Sequence, residues 1–251
     1  MKQFFLLLIS ISITIFSFAQ NVDSLLKEAQ NTEYTLQEPA ALEKYKAVLV
    51  VAPNNMKALI KTTELSVAIG TRQTDKKEKL LYYQSAMSFA ERAIAIDSNS
   101  ADANYITALV YSKMTDIEKE NKKISANIKA TKLYVDKALH LNNNHAKADY
   151  LIGNWHFEMV NLAGVKKTAV KLFYGSLPKS SLDSAIFFME KCKTLDQYYM
   201  LNYMTLAKAY IQNDKPTKAI EILQQLIKLP LRTADDAALK EEGKKMLTEL
   251  Q

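Results

Sequence analysis

Residues 219–230 read Ala-Ile-Glu-Ile-Leu-Gln-Gln-Leu-Ile-Lys-Leu-Pro, and this stretch decides the fold. A small residue, Ala219, is followed four positions later by Leu223 and three later by Leu226, and Pro230 then turns the chain. Working back toward the N-terminus, the same spacing occurs as Ala185/Met189/Cys192 before Gln197 and as Thr131/Val135/Ala138 before Asn143. It occurs again as Ala86/Ala90/Ala93 before Ser98 and as Ala41/Tyr45/Val48 before Pro53. A four-then-three step places all three residues on one helical face. Its recurrence at roughly repeat length predicts helix pairs stacked side by side. With only five Gly and five Pro in 251 residues, little in the chain interrupts helix.

The first helix of each pair carries a second signature. Ala108/Tyr111, Ile152-Gly153/His156 and Leu206-Ala207/Tyr210 occupy the apolar, small and aromatic slots of the tetratricopeptide repeat, which this pattern resembles. Small residues let helix backbones approach, and bulky ones fill the hole against the neighbour. The corners at 53, 98 and 143 lie 45 residues apart, 11 more than the roughly 34 of that repeat. Eleven residues is close to three helical turns and keeps the apolar stripe in phase. The spacing therefore predicts that the second helices of repeats 2 and 3 are three turns longer, with capping-box starts at Asp75-x-x-Glu78 and Thr115-x-x-Glu118. The corner at 197 comes 54 residues after the one at 143, and the excess contains Gly164, Gly175 and Pro178. Residues 163–180 are therefore expected to protrude, with a short helix near 165–173 and a new start at Ser180-x-x-Asp183. Residues 235–250 read as a capping helix with a charged outer face. The expected fold is all-α: a right-handed α-solenoid of about five tetratricopeptide-like helix pairs over residues 20–251, plus that cap.

Residues 1–19 carry a different message. Lys2 precedes an almost unbroken apolar run from Phe4 to Phe16, and Ser17-Phe18-Ala19 offers small residues at a cleavage site. This is the pattern of a secretory signal peptide cut after Ala19, and the run is shorter than the ~20 residues a bilayer span needs. The expected location is periplasmic or secreted. An uncleaved anchor is the competing reading. Cys192 is the single cysteine and falls in a small-residue slot, so it reads as a buried hydrophobe and no disulfide framework is expected.

From about residue 76 onward the chain resembles the regulator of microtubule dynamics proteins, an animal family with bacterial relatives. The resemblance lies in Ala90-Glu91-Arg92-Ala93, in Leu151-Ile152-Gly153-Asn154-Trp155 and in Lys167–Ala185 with its Ser-Leu-Pro-Lys-Ser-Ser segment. It continues in Leu229-Pro230 followed by an acidic helix, and in the order and spacing of these elements. The resemblance implies a helical repeat domain acting as a non-catalytic adaptor.

The residues themselves point the same way. No Gly-rich phosphate loop, His-Glu-x-x-His or Gly-x-Ser-x-Gly is present, so no enzyme and no cofactor are expected. His140 and His145 lie across the Asn142-Asn143-Asn144 corner from each other, and His156 sits in an aromatic slot, so no metal site is expected. Lys and Arg outnumber Asp and Glu by 33 to 27, a net +6, without a basic block interleaved with aromatics. Nucleic acid is therefore not an expected partner.

In such a solenoid the first helices line the concave side. Their register predicts a groove floored by Ile60, Tyr105, Leu109, Tyr150, Phe157 and Met204, with Asn154 and Lys208 as polar contacts. An apolar groove suits a polypeptide segment, and the alternative is a lipid or other hydrophobic small molecule. Segment 163–180 or the final helix could fill it instead. Lys166, Lys167, Lys171 and Lys179 beside Val165, Leu172 and Phe173 make that segment a basic amphipathic helix. It reads as a lid, as a contact with an anionic membrane surface, or as a helix packed on repeats 4 and 5.

Overall fold

The computed structural model describes residues 22–175 and 178–251, so residues 1–19 of the expected signal peptide lie outside the described residues. Residues 22–34 form α1. It is followed by α2 Glu38–Val51, α3 Met56–Arg72, α4 Lys76–Ile96, α5 Ala101–Ile117 and α6 Asn121–Leu141. The chain continues as α7 Ala146–Val160, α8 Gly164–Phe173, α9 Leu182–Leu195, α10 Met200–Gln212, α11 Pro216–Leu226 and α12 Asp236–Leu250. No strand occurs among the described residues. The pairs α3/α4, α5/α6, α7/α9 and α10/α11 pack most closely, each first helix also meets the second helix of the pair before it, and α12 closes the stack on α10 and α11. The fold is the all-α helical solenoid that the spacing predicts.

The five small-bulky-small triplets are the seams of this stack. Ala41, Tyr45, Val48, Ala86, Ala90, Ala93, Val135, Ala138, Ala185, Met189, Cys192, Ala219, Leu223 and Leu226 are all completely buried. At the corners, side chains satisfy the free N–H groups that open each helix. Asn55 accepts from the Ala58 N–H, Asp75 from those of Lys77 and Glu78, Ser100 from that of Ala103, and Ser181 from that of Ser184. Near the starts of α5 and α10, Asn104 donates to the Ser98 carbonyl in the preceding corner at 3.0 Å, and Asn202 donates to the Met189 carbonyl of α9 at 2.9 Å, which ties α10 to the pair before it.

Three local expectations shift. The start read at Ser180 is capped one residue later, by Ser181. Thr115 does not open α6. It lies within α5, where its hydroxyl donates to the Tyr111 carbonyl at 2.9 Å, and the Glu118 carboxylate organises the turn by accepting from the N–H groups of Lys119 and Glu120. The extra residues of repeats 2 and 3 are also not confined to the second helices. First helices α3 and α5 have 17 residues and second helices α4 and α6 have 21, against 13 and 11 in α10 and α11. Two antiparallel helices bury an extension only where both are extended, so the length is shared between them.

Helix α8 lies against α6, the second helix of the third pair, with Ala169 and Val170 buried in the contact. It therefore packs on the pair before the one whose helices α7 and α9 it connects, rather than on repeats 4 and 5. Gly164 (φ 53°) and Gly175 (φ 100°) bracket it in left-handed backbone that side-chain-bearing residues rarely adopt. At the other end of the sequence the chain comes back to its start. Arg72, the last residue of α3, pairs with Asp235 at 2.9 Å and with the buried Glu38 at the head of α2, and Glu38 also accepts the Ala234 N–H at 3.0 Å. Asp236 holds the returning turn by accepting from the N–H groups of Arg232 and Thr233 at 2.6 and 2.8 Å.

Candidate functional site

The concave side is built by α3, α5, α7 and α10, and its N-terminal half is polar rather than apolar. Glu64 on α3 accepts a hydrogen bond from Lys147 at the head of α7 (2.6 Å) and lies 3.7 Å from Lys61 one turn away. Lys61 donates to Glu33 on α1 at 2.7 Å, and Glu33 accepts from the Tyr45 hydroxyl of α2 at 2.8 Å. Burial pushes the Glu64 carboxyl up, but Lys147 and Lys61 outweigh it and hold the group below its ordinary value, with the Tyr105 hydroxyl helping. Burial likewise works against the Lys61 ammonium, and Glu64 and Glu33 raise it above its ordinary value. One ionised network thus joins four helices across three repeats.

This network and the corner beside it seal Tyr105. Its ring lies 4.9 Å from that of His145, and burial, reinforced by Glu64, keeps its hydroxyl well above the ordinary tyrosine range. His145 is the N-cap of α7. Its Nδ1 accepts the Ala148 N–H at 3.1 Å, which leaves Nε2 to donate to Asp102 at 3.0 Å. Among the described residues, no group of three or more His, Cys, Asp or Glu side chains is placed to hold a metal ion.

The far end of the concave side is occupied by α12. Met204 is buried there, within 3.7 Å of the space a Cβ on Gly243 would take, and Lys208 pairs with Glu242 at 2.8 Å. Of these two expected groove contacts, Met204 is covered by the chain itself, and the Lys208 side chain stays 42% exposed with its ammonium engaged by Glu242. Ile60 and Leu109 pack half-buried on the larger hydrophobic cluster, and Phe157 on the smaller one.

Tyr150 and Asn154 are the two expected residues that the structure brings to an open site. They line a cleft of about 160 Å³ between the second half of α5, α6, α7 and the start of α10, together with Ser112, Ile128, Leu201 and Met159. Lys113, Asp116, Glu158 and Lys166 also border it. The Lys166–Asp116 ion pair (2.8 Å) fixes the head of α8 beside the cleft. Tyr150 is held edge-on against Tyr199 at 5.0 Å, and burial pushes its hydroxyl up to about 12. The register finds Tyr150 and Asn154 because both sit on one face of α7. Lys166 and Leu162 come from the excursion and the helix end before it, whose placement no local pattern encodes.

Beside this site His156 stacks on Phe188 at 5.9 Å and meets Trp155 edge-on, and its Nδ1 has no hydrogen-bond partner among the described residues. Burial, aided by Lys132, lowers its pKa below the ordinary 6.5. The folded chain therefore prefers the neutral ring, and the unfolded chain binds more protons just below pH ~6.5. Thermal stability should fall as pH drops through that window and level off once the folded-state value is passed. Melting temperatures between about pH 5 and 7.5 should show a smaller fall in His156→Phe than in the parent, and equal slopes would reject this assignment.

The family model described as "Regulator of microtubule dynamics protein 1-3" matches residues 18–251. The chain belongs to this family. Among curated RMD proteins, regulator of microtubule dynamics protein 1 of Homo sapiens is 26% identical over 183 residues, 72% of this chain and 58% of the relative. The protein of the same name from Caenorhabditis elegans is 23% identical over 177 residues, 70% of this chain and 77% of the relative. The chain thus spans less than two thirds of the human RMD protein. Among solved structures, the crystal structure of TTC0263, a thermophilic TPR protein of Thermus thermophilus, superposes with a TM-score of 0.67 at 11% identity. The match covers 90% of this chain and 99% of that one. It extends the tetratricopeptide architecture to this RMD chain as a fold.

Proposed function

We propose that this RMD-family chain is a non-catalytic, exported scaffold that holds a polypeptide segment on its concave side, anchored by one side chain in the Tyr150–Asn154 cleft. The observation that carries this reading is the size and lining of the cleft. At about 160 Å³ it matches a cavity that takes a benzene-sized group and falls below the roughly 300 Å³ where small-molecule pockets begin. That volume suits a single leucine or phenylalanine side chain better than a whole acyl chain, so a polypeptide is favoured over the lipid alternative. Asn154, Ser112 and the charged border supply partners for the backbone on either side of the anchor. The relatives are named as regulators of microtubule dynamics, and a regulator without chemistry of its own acts by holding another protein. Export rests on the sequence of residues 1–19. Among the described residues no helix is long and apolar enough to cross a membrane.

The test is site-directed photocrosslinking in the source cell. A photoreactive side chain at Asn154 should trap a discrete polypeptide, and one at the exposed Val50 on the outer side of α2 should not. Asn154→Trp, which fills the cleft, should abolish adducts from a neighbouring position such as Ser112. Adducts that persist in Asn154→Trp, or lipid recovered in stoichiometric amount by organic extraction, would remove the polypeptide reading. N-terminal sequencing of the mature protein checks cleavage after Ala19.

A further inference from the structure

The positive charge of this protein is concentrated on two helices. The 251-residue chain carries a net +6. Helices α6 and α8 together hold eight lysines (122, 123, 129, 132, 137, 166, 167 and 171) and one carboxylate, Asp136, a formal +7. The rest of the chain is therefore close to neutral, and the two basic helices are packed on each other. Their junction is defined by Lys129, which donates to the Phe173 carbonyl at 2.9 Å and stands 5.0 Å over the Tyr174 ring.

Large apolar side chains project from the same junction. Val165 is 59% exposed, Leu172 65%, Phe173 45%, and Leu133, one turn beyond Lys129 on the same face of α6, is 65% exposed. Val165 and Leu172 are seven residues apart and form one ridge of α8, beside the face that buries Ala169 and Val170 on α6. Lys167 and Lys171 are exposed on the next face round the helix. No other described element covers this ridge.

We propose that the outer face of α6 and α8 docks on an anionic lipid bilayer surface, with Val165, Leu172 and Phe173 entering the headgroup region and the lysines meeting lipid phosphates. Clusters of four to eight lysines beside an amphipathic helix have the charge that anionic bilayers attract. A bilayer is favoured over an acidic protein because these apolar groups protrude. A protein partner would have to offer a shaped cavity for each of them, whereas a fluid interface accommodates protrusions of any outline. This face meets the Tyr150–Asn154 cleft at Lys166, but Lys167, Lys171 and Leu172 lie outside the cleft lining, so the test does not depend on that site.

The experiment is co-sedimentation of the purified protein with vesicles of mixed phosphatidylglycerol and phosphatidylcholine, and with phosphatidylcholine alone. Binding should require phosphatidylglycerol and weaken as salt rises. Lys167→Gln with Lys171→Gln should weaken it about 25-fold, at roughly fivefold per lysine near an anionic surface. Both side chains point into solvent, so circular dichroism should stay unchanged. In Leu172→Trp the added indole should be quenched by brominated acyl chains beyond the background of Trp155. Absence of binding to the anionic vesicles, or equal binding by the double lysine variant, overturns the proposal. An unquenched indole combined with competition by polyglutamate also overturns it and assigns the face to an acidic polypeptide.

Discussion

Gly153→Leu should destabilise the fold by about 3 kcal/mol, at the upper end of the range for overpacking a well-filled interior. Gly153 faces α9 at the point where the two helices of the fourth pair touch. A Cβ there would lie 2.9 Å from the Met189 side chain and 3.1 Å from the Ala185 carbonyl oxygen. The methionine can turn aside, but the carbonyl belongs to a helix backbone and cannot. Alanine adds only that clash, offset by about 1 kcal/mol of helix propensity, whereas leucine adds three more carbons for which no space exists. Gly243 provides the contrast. A Cβ there meets first the end of the flexible Leu226 side chain at 2.8 Å, so Gly243→Ala should be close to neutral. Urea midpoints for the three variants check the ordering, and a Gly153→Leu protein as stable as the parent would show that α7 and α9 are not in contact there.

Glu64→Leu should cost about 2–3 kcal/mol. Glu64 is the carboxylate that stands between Lys61 and Lys147, and its side chain is just 14% exposed. Removing it leaves two ammonium groups facing each other, with Glu33 still paired to Lys61. Fully buried pairs broken on one side lose about 3–5 kcal/mol, and the value here is smaller because both lysines retain access to water. The same residue sets an acid limit. Its folded pKa is depressed, so its contribution is complete above its ordinary value of about 4.5 and disappears as pH falls through the lower folded value. Acid unfolding of the parent between about pH 5 and 3 should be steeper than that of Glu64→Leu. A loss below about 0.5 kcal/mol at neutral pH would show that the ion network contributes nothing.

The fold was legible because its information is local. Alanine at 41, 86, 90, 93, 138, 185 and 219 recurs at helical spacing, and Asn55, Asp75 and Ser100 stand where helices must begin. The family resemblance drawn from Ala90–Ala93 and Leu151–Trp155 agrees with the match over residues 18–251. Legibility ends where contacts are distant in sequence. Lys147 and Glu64 are 83 residues apart, so a concave side that reads as apolar from its register acquires a charged network only once the stack curves. Thr115 fits a capping box, but the same hydroxyl bonds equally well to a carbonyl one turn back, and packing of the α5 extension on α6 decides between them. Burial of Met204 under α12 and the pairing of Lys208 with Glu242 depend on the loop at 227–235, which no periodicity describes.

The contacts among Arg72, Glu38, Ala234 and Asp235 change what kind of repeat protein this is. A stack touching only its neighbours comes apart from its tips, one unit at a time. Here the head of α2 and the end of α3 are fastened to the turn that opens α12, so the two ends of the array are coupled to each other. The expected consequence is a linear array whose two ends loosen together rather than independently, and a hollow whose width answers to a few polar groups far from its floor.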